Sequence, residues 1–182
     1  MQLFSRRQEE DPQEFWKRTA ARRGGEIGFL TFATLLGRSS DAPVELPGLL
    51  YTVGDMAWFE DFERDNWLLK IVGGRRKYEK TEMSFARSEI ISSQLVSRAG
   101  AIRCIDGTVP PEKLPPASAL ARFLATPVVQ VKLTGGTSLF FDMIRRADFL
   151  TMVNKGKWPE AGAPPATETP GTSGARGTPP TP

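Results

Sequence analysis

Four cations stand close together in one stretch of the chain: Lys70, then Arg75, Arg76 and Lys77 directly after Gly73-Gly74. A glycine turn carrying three adjacent cations can hold a phosphate or lie against an anionic membrane, where each charge contributes about 1 kcal/mol. The competing reading is a solvated hairpin tip, whose like charges keep an exposed strand from pairing with another chain. Lys70, Arg75, Arg76 and Lys77 are the expected site for an anionic ligand or membrane. A nucleic-acid role is disfavoured, because such sites interleave aromatic with basic side chains and only Tyr78 is near. Arg18, Arg22 and Arg23 form a second basic group. They fall at the end of an expected helix, where cations complement the carbonyl end of the dipole.

Carboxylates gather at Glu60, Asp61, Glu63 and Asp65, around Phe59 and Phe62. Paired carboxylates serve acid-base chemistry or hold a divalent cation. The spacing here matches no calcium-loop pattern, and a charged strand end is the simpler reading. An enzyme using Glu60, Asp61 or Glu82 is the least favoured of the functional alternatives. The chain has no histidine and a single cysteine. A Ser-His-Asp triad, a Cys-His pair, an intrachain disulfide and a thiolate zinc site are therefore excluded within it. Cys104 between Ile102 and Ile105 reads as a buried structural thiol. Gly73-Gly74 and Thr134-Gly-Gly-Thr137 lie in no phosphate-loop pattern and read as turns. No catalytic residue, metal ligand or cofactor is expected.

The elements that must position these residues follow from period and punctuation. Asp11-Pro12 opens a helix that Gly24-Gly25 ends, with Phe15, Trp16 and Thr19 on one face. Gly28 to Leu36 suits a strand, though its alternation is imperfect. Gly48 to Val53 and Met56 to Phe62 read as a hairpin about Gly54-Asp55, and Trp67 to Val72 as a further extended run. Tyr78 to Phe85 is too polar for a central strand and predicts an exposed or edge strand. Ser88 to Val96 predicts a strand or a helical turn leading into one. Ala101 to Ile105 predicts a brief apolar strand, and Asp106-Gly107 a turn. Val109 to Ala117 is proline-rich loop, and Ser118 to Leu124 a short helix. Val128 to Leu133 and Ser138 to Asp142 form a second hairpin. Arg145 to Lys155 closes the body as a helix, with Phe149, Met152 and Val153 on one stripe.

Many short antiparallel strands followed by one helix predict a mainly β (α+β) fold. The expected architecture is a small antiparallel barrel or bent sandwich of about seven strands, closed by a C-terminal helix and preceded by an N-terminal one. Residues 1–26 read as a helical extension, 27–157 as the domain, and 158–182 as a disordered tail rich in Pro, Thr and Gly. The apolar run Ile27 to Leu36 is shorter than the roughly 20 residues of a membrane span, and cytoplasmic residence, with or without membrane association, is the default expectation.

The run Gly48-Leu-Leu-Tyr-Thr-Val-Gly-Asp-Met-Ala-Trp-Phe-Glu-Asp-Phe62 resembles the second and third strands of pleckstrin-homology-like or GRAM domains. Phe85 to Val96 resembles the segment that follows there, Val129 to Phe141 the last hairpin, and Phe149 to Val153 the closing helix. The resemblance implies lipid-headgroup, peptide or protein binding, and rarely catalysis. Lipid-binding members concentrate Lys and Arg in the loop joining the first two strands. Here that loop, Gly37 to Gly48, holds Arg38 against Asp41 and Glu45. The expected function is accordingly a non-catalytic module that binds a protein partner through a strand edge or a helix surface. The alternative is a peripheral membrane module that touches anionic lipid through Arg75 to Lys77.

Overall fold

The computed structural model describes residues 12–62, 80–118 and 126–158. It contains the expected mainly β architecture. Seven antiparallel strands form one sheet: β1 (Ile27–Arg38), β2 (Leu46–Val53), β3 (Met56–Asp61), β4 (Glu82–Ala86), β5 (Ile90–Val96), β6 (Val128–Leu133) and β7 (Ser138–Met143). Among the described residues three α-helices accompany them, α1 (Pro12–Arg23), α2 (Arg98–Ile105) and α3 (Arg146–Asn154). Across the sheet the strands run β4-β3-β2-β1-β7-β6-β5. The ends of that order, β4 and β5, are joined by one short turn at Arg87–Glu89 but do not pair with each other. The sheet is a bent sandwich or open barrel.

The twelve residues of β1 make the bend. Residues 27 to 35 pair with β2, while residues 33 to 38 pair with β7. The change of partner falls at an irregularity between Leu35 and Gly37, where Gly37 takes a φ of +147°. That backbone conformation is nearly closed to residues with a Cβ, so glycine permits the bulge that lets one strand serve both halves. Gly48 solves a different problem. A Cβ there would lie 2.2 Å from the Glu60 carbonyl oxygen, so only glycine lets β2 and β3 approach this closely.

Alternation along the strands divides the buried residues into two cores. Phe29, Ala33, Leu35, Leu50, Ala57, Phe59, Phe85, Val129, Val131, Leu139 and Phe141 line the inside of the bend. α3 plugs this interior with Phe149 and Met152, and the Phe149 ring lies 5.8 Å from that of Phe29. Trp158, assigned by composition to the tail, is buried in the same core and donates its indole N–H to the Gly54 carbonyl. Outside the bend, Leu36, Val96, Val128 and Phe140 are covered by Ala101, Cys104 and Ile105 of α2. Among the described residues no helix is long and apolar enough to cross a membrane.

Most of the expected elements are present with small shifts of boundary. Both hairpins, the α1 face of Phe15, Trp16 and Thr19, the edge position of β4 and the closing helix all appear. The segment Ala101 to Ile105 departs from expectation, being the second half of α2 and not a strand. Five apolar-rich residues satisfy either period. The decision is made upstream, where the Ser97 hydroxyl accepts from the Gly100 N–H and caps a helix that buries Ala101, Cys104 and Ile105 at helical spacing. The extended run at Trp67 to Val72 and the helix at Ser118 to Leu124 fall outside the described residues, apart from Ser118.

Candidate functional site

The outer face of the sheet carries a cluster of charged and aromatic side chains. The register places Tyr51 opposite Trp58, and Leu49 opposite Glu60, so these four side chains point to one face. α1 lies across that face. Its Trp16 ring packs edge-on to Tyr51 at 6.0 Å, and the Arg23 guanidinium stacks 3.7 Å above the Trp58 ring. Beneath them Glu60 is buried and gathers four donors. Its Oε1 accepts from Arg22 at 2.7 Å, from Arg23 at 2.8 Å and from the Tyr51 hydroxyl, and its Oε2 accepts from Lys80. Arg23 also meets Glu82 at 2.7 Å.

Burial by itself would raise the Glu60 pKa, but the bonds from Lys80, Tyr51 and Arg23 outweigh it and hold the carboxyl at about 2. Burial and the bond to Glu60 push the Tyr51 hydroxyl up to about 12. Arg23 loses from burial and gains more from Glu60, Tyr51 and Glu82, so its pKa is raised. Glu60 is thus held ionised at neutral pH by its cationic and hydroxyl partners. Its neighbour Asp61 accepts from the Thr81 N–H. This cluster fastens α1 to the sheet. Among the described residues no group of three or more carboxylate or thiol side chains is arranged to hold a metal ion. Cys104 is buried, and its thiol pKa is raised, chiefly by desolvation.

Between α1 and α2 lies a strip of the outer face that no helix among the described residues covers. Phe32 of β1, opposite Leu49, is 58% exposed, Ile144 just beyond β7 is 72% exposed, and Phe62 just beyond β3 is 39% exposed. The Phe32 and Phe62 rings stand 6.0 Å apart and wall a groove of about 440 Å³. Pro47, Thr34, Met143, Asp142 and Arg146 also line it. Isolated exposed apolar side chains are ordinary on a protein surface; here Phe32 and Phe62 are in ring contact, and Ile144 lines the same concavity.

Both charged residues of the groove have defined surroundings. Asp142 pairs with Arg98 of α2 at 3.2 Å, and Arg98 reaches Glu45 at 2.6 Å. Arg146 donates one N–H to the Pro127 carbonyl at 3.0 Å. By contrast the open side of β5 is already occupied. Asn154 of α3 accepts from the Ser93 N–H and donates to the Ser93 carbonyl, and the Ala117 N–H reaches the Leu95 carbonyl.

Of the residues expected at the site from sequence, Lys70, Arg75, Arg76 and Lys77 lie outside the described residues. The second basic group divides: Arg22 and Arg23 are spent on Glu60 and Glu82, while Arg18 lies 6.0 Å from the centre of the Phe15 ring. Sequence reasoning did not single out Phe32, Ile144 or Arg146. One signal was available: Phe32 is an aromatic residue at an outward position of β1, between the inward-facing Thr31 and Ala33. No known protein family, curated protein or solved structure matches the chain.

Proposed function

We propose that this chain is a non-catalytic interaction module that binds a protein partner on the strip between α1 and α2. The observation that carries the reading is the groove walled by Phe32, Phe62 and Ile144. Aromatic anchors around a concave apolar centre, with polar residues at the rim, are the composition of protein interfaces. At the β5 edge Asn154 already takes the backbone groups of Ser93, which favours the face of the sheet over that edge. The pleckstrin-homology-like resemblance is supported by the strand order and the helix that closes the bend. The non-catalytic reading is supported by Glu60, whose carboxylate is taken up by bonds to cations of this chain.

A protein is favoured over an anionic membrane by the charges around the strip. Arg98 and Arg145 are paired with carboxylates of this chain, whereas membrane recognition draws on clusters of several unneutralised cations. The test is a photoreactive amino acid at Ile144 in the full chain, compared with one at the exposed Ile91 on β5. A discrete protein adduct from position 144, lost on Phe32→Ala, is the expected result. Sedimentation with anionic vesicles that Phe32→Ala does not change, and that charge reversal at Arg75 to Lys77 abolishes, without a protein adduct, would replace this reading with the membrane one.

A further inference from the structure

Arg146 gives the groove a chemical preference. The arginines nearest it are neutralised: Arg98 by Asp142 and Glu45, Arg145 by Asp148 at 2.9 Å. Arg146 has no carboxylate partner among the described residues, and its contact is one bond to the Pro127 carbonyl. A guanidinium carries five N–H donors in a planar fork, so most of its capacity is unspent. It is half-buried in the groove wall, where a charge-assisted bond is weakened less by water than on an open surface. Aromatic walls on one side and an unsatisfied fork on the other define a two-point site.

We infer that the groove docks a short segment of a partner protein in which an aromatic or aliphatic side chain stands next to a carboxylate. The apolar side chain packs against the exposed faces of the Phe32 and Phe62 rings, which rest on each other, and the carboxylate is held by the Arg146 fork. The inference rests on the reading of the strip as a protein-binding surface and adds the chemistry of the partner. Charge complementarity selects this occupant. A second copy of the chain would have to bring an unpaired carboxylate beside an exposed apolar side chain. A purely apolar segment would bury Arg146 with its donors unpaired, which is unfavourable.

Two tripeptides that differ in one group test it: acetyl-Leu-Phe-Glu-amide and acetyl-Leu-Phe-Gln-amide, titrated into the full isotope-labelled chain and followed by NMR. Saturable shifts are expected at Phe32, Gly48, Ile144 and the Arg146 side-chain N–H. Loss of a charge-assisted bond predicts that the Gln peptide binds about ten-fold more weakly. Arg146→Gln is expected to bind both peptides equally, and Arg146→Lys, which keeps the charge, to recover part of the preference. Equal binding of the two peptides in the groove of the unaltered chain overturns the carboxylate assignment and leaves the protein-binding reading standing. Absence of shifts at the groove with either peptide, or groove shifts that grow with protein concentration alone, overturns both.

Discussion

Glu60 shows how neighbours set the charge state of a buried carboxylate. Four donors converge on one buried carboxylate, and two of them, Arg22 and Arg23, come from a helix. Replacing it by glutamine keeps the shape and removes the charge, leaving Arg23 buried beside Trp58 without its main counter-ion. Breaking such a pair from one side is costly, and Glu60→Gln is expected to lower stability by about 2–4 kcal/mol in urea unfolding. The pH dependence has a definite sign. The folded chain holds Glu60 at about 2 against an ordinary 4.5, so its contribution is complete above pH 4.5 and is lost as pH falls through about 2. Tyr51 acts at the other end: its pKa rises from 10.0 to about 12, so its contribution is complete below pH 10 and is lost as pH rises through about 12. Urea midpoints across the pH range should show the acid limb flattened in Glu60→Gln. An unchanged acid limb would mean that the four-donor cluster does not set acid stability. None of this was legible in the sequence, where Glu60 stands beside Asp61 and reads as one of a run of acids. Its partners lie 38, 37, 9 and 20 residues away.

Elements were easier to read where local period and local punctuation agreed. The β2–β3 hairpin and the β6–β7 hairpin each place inward apolar residues on either side of a glycine-bearing turn, and both formed with nearly the expected boundaries. Helix α2 was misread because its apolar residues fit both periods within five positions, and the deciding cap, Ser97, lies before the window. Two contacts between elements carry predictions. Gly48→Ala would drive a methyl group into the backbone of β3, which cannot yield as a side-chain tip can. A loss of at least about 2 kcal/mol is expected, at the upper part of the range for overpacking. A denaturant midpoint equal to that of the unaltered chain would show that the two strands can separate freely. Asn154 takes the place of a strand at β5 by satisfying both backbone groups of Ser93 and accepting from its hydroxyl. Asn154→Ala is expected to cost about 1–3 kcal/mol. It should also speed exchange of the Ser93 amide hydrogen well beyond that of Val131, its neighbour across the ladder. Equal acceleration at both residues would indicate global loosening and not an opened edge.

At the scale of the molecule, the outer face of one sheet is divided, among the described residues, between a helix that precedes it, a helix inserted after β5, and a strip between them that neither helix covers. The mainly β class and the closing helix followed from the order of elements. The strip did not, because it is assembled from β1, the end of β3 and the end of β7, which are distant in sequence and adjacent only once β1 bends. This division gives α1 a particular place. Neither buried core contains a residue of α1, since both are drawn from residues 29 to 158. α1 instead rests on Tyr51, Trp58 and the Glu60 cluster, and Glu60 keeps Lys80 and Tyr51 if the helix is removed. A chain beginning at Ile27 is therefore expected to retain its seven strands and its far-ultraviolet circular dichroism. The lost contacts to Trp16, Arg22 and Arg23 should cost about 2–4 kcal/mol, within what a domain of this size can lose and still fold. Its surface should change more than its fold. Tyr51 and Trp58 would join Leu49, Phe32 and Phe62 in one continuous apolar face, larger than a monomeric protein ordinarily leaves in water. The shortened chain should bind an environment-sensitive hydrophobic dye that the full chain does not, and should self-associate as its concentration rises. Loss of the cooperative unfolding transition would instead make α1 part of the folding unit. A folded, monomeric, dye-silent product would mean that the outer face repacks to hide Tyr51 and Trp58, and that α1 is not what keeps them covered.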